Sequence, residues 1–210
     1  MKHILIYGAS SVHGVGGEKG GWADKLKVRL HAELYGSEGP GEKAEIYELG
    51  IAGESLQEVQ GRFDAELQPR IRDAKPEDVI IIFSAGGNDS RADGQPEKYV
   101  STPDDYAAAV HAFINLAKDY SAHIVGVGLS PVDESKTAPL PGESIYFFNE
   151  RLKLFEDACH RTCDAEEVHF VPVIGDAPSD WQQNYVFNDG LHPNDAGHEW
   201  ICNRVEPKLR

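Results

Sequence analysis

The sequence predicts an α/β fold of three layers, a sandwich α/β/α with a five-stranded parallel sheet in the middle. Strand-like apolar runs alternate with helical patterns from end to end, with no internal repeat and no low-complexity linker. One run, residues 79–83, is apolar at every position, as expected of a parallel strand covered on both faces. The length of 210 residues suits one domain, residues 1–210, with a full core.

The first half of the chain has three predicted strands, over residues 2–7, 45–49 and 79–83. A Gly-, Ser- and Pro-rich turn over residues 36–41 separates the first helix from the second strand. Residues at helical spacing give each of three helices an apolar stripe that faces a sheet. These stripes are Trp22, Leu26, Leu30 and Leu34; Leu56, Val59, Phe63 and Leu67; and Tyr106, Val110, Phe113 and Ala117.

Two of these helices carry start signals. Ser55 and Glu58 have the spacing of a capping box. Thr102 is followed by a proline and two aspartates, a cap and first turn that suit a helix N-terminus. The remaining predicted elements are a strand over 123–129, a helix over 144–160, a strand over 168–173 and a helix that begins after residue 194. Long loops over 130–142 and 174–189 separate them.

The composition is that of an ordinary globular protein, with 40% hydrophobic and 26% charged residues. A formal net charge of -15 argues against nucleic acid and anionic membrane surfaces as partners, since both would repel the chain. No apolar run is long enough to span a membrane, and no signal peptide is visible. We therefore expect a cytoplasmic protein without nucleic-acid or membrane partners, and its oligomeric state stays open.

The three cysteines are predicted to be reduced thiols, because their number is odd and no secretory signal is visible. Cys159, His160, Cys163 and His169 are close enough in sequence to raise a metal site. However, Cys159 and Cys163 are four residues apart on an apolar helix face, which favours buried thiols packed in the core.

Unusual residues follow four of the predicted strands. Ser10 follows the first strand, Gly53 the second and Asn88 the third, and Asp189 and His192 follow the fifth. Because parallel strands all point the same way, these segments gather at one edge of the sheet, where such folds place their chemistry. The sequence therefore predicts one site built from all four segments.

These residue types suit acyl transfer. Ser10 can supply an alcohol nucleophile, His192 can take its proton, and Asp189 can hold the far ring nitrogen of that histidine. The amides of Ser10 and Gly53 and the side chain of Asn88 can form an oxyanion hole. With neutral His192 as the base, hydrolysis is expected to fall on acidification.

Four blocks of the sequence resemble those of the SGNH hydrolases, also called the GDSL esterase/lipase family. The blocks are Gly8-Ala9-Ser10, Gly50-Ile51-Ala52-Gly53, Gly86-Gly87-Asn88-Asp89 and Asp189-Gly190-Leu191-His192-Pro193-Asn194. They occur in the family's order over nearly the whole chain. The resemblance implies a flavodoxin-like SGNH hydrolase fold, the roles just given to the site residues, and no metal or organic cofactor. One departure is Ala9, which stands where the family usually has aspartate.

The leading hypothesis is a serine esterase that removes a small acyl group from a small soluble alcohol, or from a sugar. Trp181, Tyr185 and Phe187 precede the last block and are candidates to line an acyl or sugar pocket; pinning a long loop is the alternative role. Arg91 is a candidate to meet a substrate carboxylate or phosphate. A nucleotide- or flavin-binding module, or a non-catalytic binding domain, is the alternative, although residues 14–17 lack the spacing of a dinucleotide-binding loop.

Overall fold

The structure is a computed structural model that describes residues 1–35 and 44–209, so the predicted turn over 36–41 and the side chain of Leu34 lie outside it. The strands are β1 (Lys2–Gly8), β2 (Ala44–Gly50), β3 (Val79–Ser84), β4 (Ala92–Asp93), β5 (His123–Val127), β6 (Ile145–Tyr146) and β7 (His169–Val171). The helices are α1 (Ser10–His13), α2 (Trp22–Tyr35), α3 (Leu56–Ile71), α4 (Gly87–Ser90), α5 (Pro103–Lys118), α6 (Glu134–Thr137), α7 (Asn149–Ala165), α8 (Trp181–Asn184) and α9 (Asp195–Val205). Pro76–Asp78 and Glu206–Leu209 are 3₁₀ helices.

Five strands form one parallel sheet in the order β2-β1-β3-β5-β7, which confirms the predicted five-stranded sheet. Ile4 of β1 lies opposite Ile46 of β2 on one side and Ile80 of β3 on the other. This strand order is the flavodoxin-like one, which places a crevice at the carboxyl end of the sheet beside its first strand. The loops that follow β1, β2 and β3 therefore meet there.

Side chains of β1 alternate between two cores. Leu5 and Tyr7 pack with α3, α5 and α7 on one face, whereas Ile4 and Ile6 pack with α2 and α9 on the other. All three helical stripes predicted from the sequence are buried against the sheet, except for the undescribed side chain of Leu34. The capping box of Ser55 and Glu58 forms as predicted, with both reciprocal hydrogen bonds present. The three-layer architecture is thus confirmed.

Both predicted strands in the second half are shorter than expected because one side chain, Glu156, draws their backbone away from the sheet. The amide of Leu129 donates to the Glu156 carboxylate over 2.8 Å, so β5 ends at Val127 rather than at residue 129. The amide of Val173 donates to the same carboxylate over 3.0 Å, so β7 ends at Val171.

The predicted helix over 144–160 is α7, which begins and ends five residues later. Residues 145 and 146 form β6 instead, paired antiparallel with β4 in a two-stranded sheet. An isoleucine and a tyrosine suit a strand better than a helix terminus, which explains why pairing wins there. The last helix, α9, begins as predicted, because the side chain of Asn194 caps its first amides. Within the described ranges, no helix is long and apolar enough to cross a membrane.

Candidate active site

Ser10 lies at the carboxyl end of β1, as the first residue of the single helical turn α1. The turn is tight because Gly8 brings the backbone against the neighbouring strand. A Cβ atom at Gly8 would lie 2.3 Å from the carbonyl oxygen of Ser84 and 2.4 Å from a methyl group of Val12. Only glycine fits that position, and the half-buried Ser10 is thereby held at the edge of the sheet.

A chain of hydrogen bonds links Ser10, His192 and Asp189. The Oγ atom of Ser10 lies 2.8 Å from Nε2 of His192, and Nδ1 of the same ring lies 2.6 Å from Oδ2 of Asp189. An ionised carboxylate can only accept a hydrogen bond, so the ring proton is assigned to Nδ1. Nε2 is then free to accept the hydroxyl proton of Ser10, as a general base must.

The environment of Asp189 keeps it ionised. Burial acts to raise its pKa, but the hydrogen bond from the His192 ring and those from two backbone amides outweigh it, and the pKa lies below the ordinary value. The amides are those of Leu191 and His192, which donate to Oδ1 over 2.8 and 3.0 Å. The carboxylate therefore both orients the histidine ring and stays charged across the neutral range.

A long loop carries Asp189 and His192 back to Ser10. β3 and β5 separate β7 from β1, so the loop after β7 must cross three strand spacings, about 14 Å. A short backbone ladder holds its far end, where the amide of Phe187 donates to the carbonyl of His192 over 2.8 Å. The loop also accepts a hydrogen bond at the Gly190 carbonyl from the amide of Asp133, over 2.7 Å. Its length is thus a requirement of the strand order.

The candidate oxyanion groups Gly53 and Asn88 follow β2 and β3, the two strands that flank β1. Asn88 is on α4, directly after β3, and its side-chain amide donates one hydrogen bond to the carbonyl of Glu54 over 2.9 Å. The second proton of that amide is available to a ligand. Gly53 lies in the loop after β2 with a φ of 88°, a conformation that favours glycine, and its surroundings are open.

A small cavity of about 80 Å³ opens beside Ser10 and His192. Five large apolar side chains form part of its wall, and no substrate-binding role was predicted for them from the sequence. They are Leu129, Val132, Phe147, Leu152 and Leu191. Two of them, Val132 and Phe147, lie in the segment that connects β5 to α7. These apolar side chains reach the cavity through tertiary packing, so no local sequence pattern identifies them as lining residues.

The structure does not bring the three predicted aromatic residues to this cavity. Trp181 is buried in the core, stacks on Tyr185 at 5.2 Å, and donates from Nε1 to the carbonyl of Pro131. Phe187 lies behind His192, against Gly16. The observed packing is that of aromatic residues that pin a long loop. Arg91 lies in a separate cleft, described below.

Ala9 is the N-cap residue of α1, and no side-chain hydrogen bond caps this helical turn. An aspartate there could accept a hydrogen bond from the amides of the turn. Ala9 also lines the cavity, where its methyl group adds apolar surface. With alanine at position 9 instead of the aspartate usual in the family, the hydrogen bonds that link Ser10, His192 and Asp189 are still present.

The cysteine and histidine residues near residue 160 point in different directions. Cys159 and Cys163 are buried in the core that α7 helps to form, as free thiols, which agrees with their predicted packing role. His160 and His169 are exposed, and His160 stacks on the ring of Phe170. The four side chains therefore do not converge.

Two buried carboxylates near the site were not predicted. Asp89 accepts a hydrogen bond from the amide of Leu56, and so ties α4 to the start of α3. Glu156, on α7, is 3% exposed and accepts four backbone amides from the loops after β5 and β7. The burial of Glu156 was predictable from the sequence, because this acidic residue falls on the apolar face of its helix.

The burial of Asp89 predicts a pH effect on stability. Burial raises the pKa of its carboxyl group from 3.8 to about 6, against the opposing effect of the Leu56 amide. The folded protein therefore keeps a proton that the unfolded chain has lost between about pH 4 and pH 6. The resulting stabilisation is complete below pH 4 and is lost as the pH rises through 6. Two pKa units correspond to about 3 kcal/mol.

The free energy of unfolding of the wild type, relative to that of Asp89→Asn, should accordingly fall by about 3 kcal/mol between pH 4 and pH 7. Urea unfolding at several pH values measures this difference, and effects common to both proteins cancel. Asp93→Asn, at an exposed position, is the control whose difference from wild type should stay constant. A pH-independent difference for Asp89→Asn would contradict the prediction.

The comparisons with known proteins agree with this architecture. The GDSL-like Lipase/Acylhydrolase family matches residues 6–200. A GDSL lipase of Mycobacterium tuberculosis is 25% identical over 209 residues, which cover 100% of this chain and 82% of that protein. A lipase/acylhydrolase from Enterococcus faecalis has a similar structure, with a TM-score of 0.73 and 16% identity over 100% of this chain and 95% of the other.

Two acetyl xylan esterases have the same fold. The first superposes with a TM-score of 0.72 and 14% identity, over 99% of this chain and 100% of the other. A variant of the second, from Geobacillus stearothermophilus, superposes on this protein with a TM-score of 0.69 and 15% identity, over 99% of this chain and 94% of the other. The family match begins within β1 and ends within α9, and it includes Ser10, Asn88 and His192. The chain belongs to the GDSL-like lipase/acylhydrolase family and is a hydrolase of ester bonds.

Proposed function

We propose that this protein is a serine esterase that cleaves a short-chain carboxylic ester of a small soluble substrate. The observation that carries the proposal is the continuous hydrogen-bonded chain from Ser10 through His192 to Asp189, with distances of 2.8 and 2.6 Å. Such a chain makes a serine hydroxyl nucleophilic without a metal or a cofactor. We also propose that residues 1–210 form one such domain.

In the proposed reaction, Oγ of Ser10 attacks the ester carbonyl carbon while Nε2 of His192 takes the hydroxyl proton. The tetrahedral intermediate then collapses, and His192 returns the proton to the leaving alcohol oxygen. Water then gives a proton to His192 and attacks the acyl carbon; the bond from that carbon to Oγ breaks, His192 returns the proton to Oγ of Ser10, and the carboxylic acid leaves. Asp189 stays ionised throughout and stabilises the imidazolium that forms at each step.

The negative oxygen of the intermediate requires hydrogen-bond donors. We assign this role to the amides of Ser10 and Gly53 and to the side chain of Asn88. Supporting it, Asn88 keeps one amide proton uncommitted beside the cavity, and its position is fixed by the bond to Glu54. Gly53 has no side chain to obstruct approach to its amide.

The size of the cavity supports a short acyl group. A volume of about 80 Å³ that is lined by leucine, valine and phenylalanine fits an acetyl group or one a few carbons longer. An acetylated carbohydrate is one such substrate, and two of the similar structures are of acetyl xylan esterases.

Free, buried thiols at Cys159, Cys163 and Cys202 suit a reducing compartment, and we accordingly propose a cytoplasmic location. Reduced thiols are expected there because glutathione and thioredoxin keep them so. None of the three lines the cavity beside Ser10.

A series of p-nitrophenyl esters tests the proposal. The value of kcat/KM is expected to be highest between acetate and butyrate, and to fall by about tenfold or more at octanoate, because the longer chain cannot enter the cavity. Release of p-nitrophenol at neutral pH measures each rate.

Leu152→Ala, which enlarges the cavity wall, is expected to move the optimum toward longer chains. Leu154→Ala, on an exposed position of the same helix, is the matched control that should keep the wild-type profile. Absence of hydrolysis for every ester would reject the esterase function. A rate that rises steadily up to octanoate would reject the short acyl group.

A further inference from the structure

The cavity beside Ser10 and His192 is called the acyl cavity below, because it is proposed to hold the acyl group. A second, larger cleft lies on the other side of Asn88 from this cavity. Its volume is about 430 Å³, against about 80 Å³ for the cavity, and Asn88 lines both. Gly53, the second proposed oxyanion donor, also lines the cleft. The ester carbonyl would therefore lie between a small apolar space and a large polar one.

The walls of the cleft differ in chemistry from those of the acyl cavity. They carry the side chains of Ser55, Gln57, Glu58, Arg91 and Ser101, and these offer both donors and acceptors. An apolar group in this cleft would strip water from the polar side chains without replacing its hydrogen bonds. A group with many hydroxyls could replace them.

Arg91 is the cationic side chain of this cleft. Its Nε atom is buried and, among the described residues, has no hydrogen-bond partner. A terminal nitrogen lies 3.9 Å from a carboxylate oxygen of Asp93, too far for a hydrogen bond. The backbone is nevertheless fixed, because the amide of Val100 donates to the Arg91 carbonyl over 3.0 Å. The side chain is 29% exposed, so its terminal nitrogens, rather than the buried Nε atom, can donate to a group in the cleft.

The charges around Arg91 disfavour an anionic ligand. Glu58 also lines the cleft, and its Oε2 accepts hydrogen bonds from the amide and hydroxyl of Ser55. Those bonds hold the pKa of Glu58 below its ordinary value, so it is ionised. Asp93 adds a second carboxylate near the guanidinium. An anionic ligand would be repelled by both carboxylates, whereas a neutral hydroxyl accepts from Arg91 without that repulsion.

We propose that the cleft lined by Gln57, Arg91 and Ser101 binds the alcohol half of the ester, and that this alcohol is a neutral polyol such as a sugar. The inference rests on the proposed function, since it assumes that Ser10 attacks the carbonyl and that the acyl group enters the small cavity. Arg91 then donates to a sugar hydroxyl and sets specificity for the alcohol.

A matched pair of acetyl esters tests the assignment, with acetate release as the measurement. One ester is methyl 6-O-acetyl-glucoside and the other is cyclohexylmethyl acetate, which has a ring of the same size without hydroxyls. The wild type is expected to have a kcat/KM about tenfold or more higher for the glucoside, because polar groups in the cleft gain partners.

In Arg91→Met, which keeps an unbranched apolar stem, the ratio of the two kcat/KM values should fall about tenfold, the loss expected for one charge-assisted hydrogen bond. Gln57→Ala, at an exposed position of the cleft, should lower the ratio in the same direction. Arg161→Met removes the same charge at an exposed position of α7, outside the cleft, and should leave the ratio unchanged.

Each other outcome overturns the assignment in a distinct way. Equal kcat/KM values for the two esters, with a ratio unaffected by Arg91→Met, would reject polyol binding in the cleft. The proposed esterase function would be unaffected by this result. Faster cleavage of methyl gluconate, measured by methanol release, than of the glucoside ester would put the polyol on the acyl side. Faster cleavage of an O-acetylated hydroxy acid would make the preferred alcohol an anion. No cleavage of either ester or of p-nitrophenyl acetate would reject the proposed function itself.

Discussion

Replacing Ser10 by alanine is expected to lower kcat for p-nitrophenyl acetate by about 10⁴-fold or more. The variant removes the oxygen that His192 activates at 2.8 Å, and no acyl-enzyme can form without it. The fold should be unaffected, because within the described part of the chain the hydroxyl hydrogen-bonds only to that ring, and alanine differs from serine only by the loss of this oxygen. Initial rates at saturating ester, together with circular dichroism, measure both expectations.

Ser11 provides the matched control for this variant. It is the next residue of α1 and lines the same cavity, but His192 bonds to Ser10. We therefore expect Ser11→Ala to keep kcat within about tenfold of wild type. Two results would contradict the account: more than a few per cent of kcat remaining in Ser10→Ala, or a loss in Ser11→Ala as large as in Ser10→Ala.

Replacing Glu156 by alanine is expected to lower the free energy of unfolding by about 4 kcal/mol or more. Its two carboxylate oxygens accept four backbone amides at 2.8–3.0 Å, from Leu129 and from residues 173–175. Each amide left without a partner in the interior costs about 1 kcal/mol or more. The loops after β5 and β7 would lose their common anchor, and with them one wall of the acyl cavity. Urea unfolding at pH 7 measures the loss.

The neighbouring residue is the control for that experiment. Asp157 pairs with Lys153 over 2.9 Å at a half-exposed position of α7, and such pairs contribute about 0.5 kcal/mol or less. Asp157→Ala should therefore change stability little. Glu156→Gln, which keeps only one oxygen acceptor, should fall between Glu156→Ala and wild type. Similar stabilities for Glu156→Ala and Asp157→Ala would show that the buried carboxylate does not anchor the loops.

The features that were predicted correctly all carry a local signal. The apolar run at 79–83 and the four-residue spacing of Val59, Phe63 and Leu67 define elements that tertiary contacts then bury. The caps of α3, α5 and α9 are side-chain hydrogen bonds between residues close in sequence, so Ser55, Thr102 and Asn194 mark the three helix starts directly.

The features that were missed depend on contacts between distant segments. β4 and β6 have two residues each and are too short to show a periodic pattern. They form because the segment after α4 pairs with the segment before α7, which is distant in sequence. The ends of β5 and β7 depend on Glu156, which belongs to a helix between them in the chain. An acidic residue on an apolar helix face was the available signal for that contact.

In the candidate site, the catalytic residues were predictable from the sequence, whereas the side chains that line the cavity were not. The proximity of Ser10 and His192 follows from parallel strands and a long final loop, both of which the pattern predicts. The specificity of the site depends on which side chains reach the cavity, and that is a matter of packing. Trp181 illustrates the difference, since it precedes the last block in sequence but packs into the opposite core, against Trp200.

Reaction with a fluorophosphonate, read by intact mass and peptide mapping, shows whether Ser10 is an activated nucleophile. The probe needs an activated serine and no knowledge of the substrate. The account predicts a single adduct on Ser10 that is absent from Ser10→Ala and retained in Ser11→Ala. No adduct in folded wild-type protein, or an adduct on another residue, would contradict the assignment of Ser10 as the nucleophile.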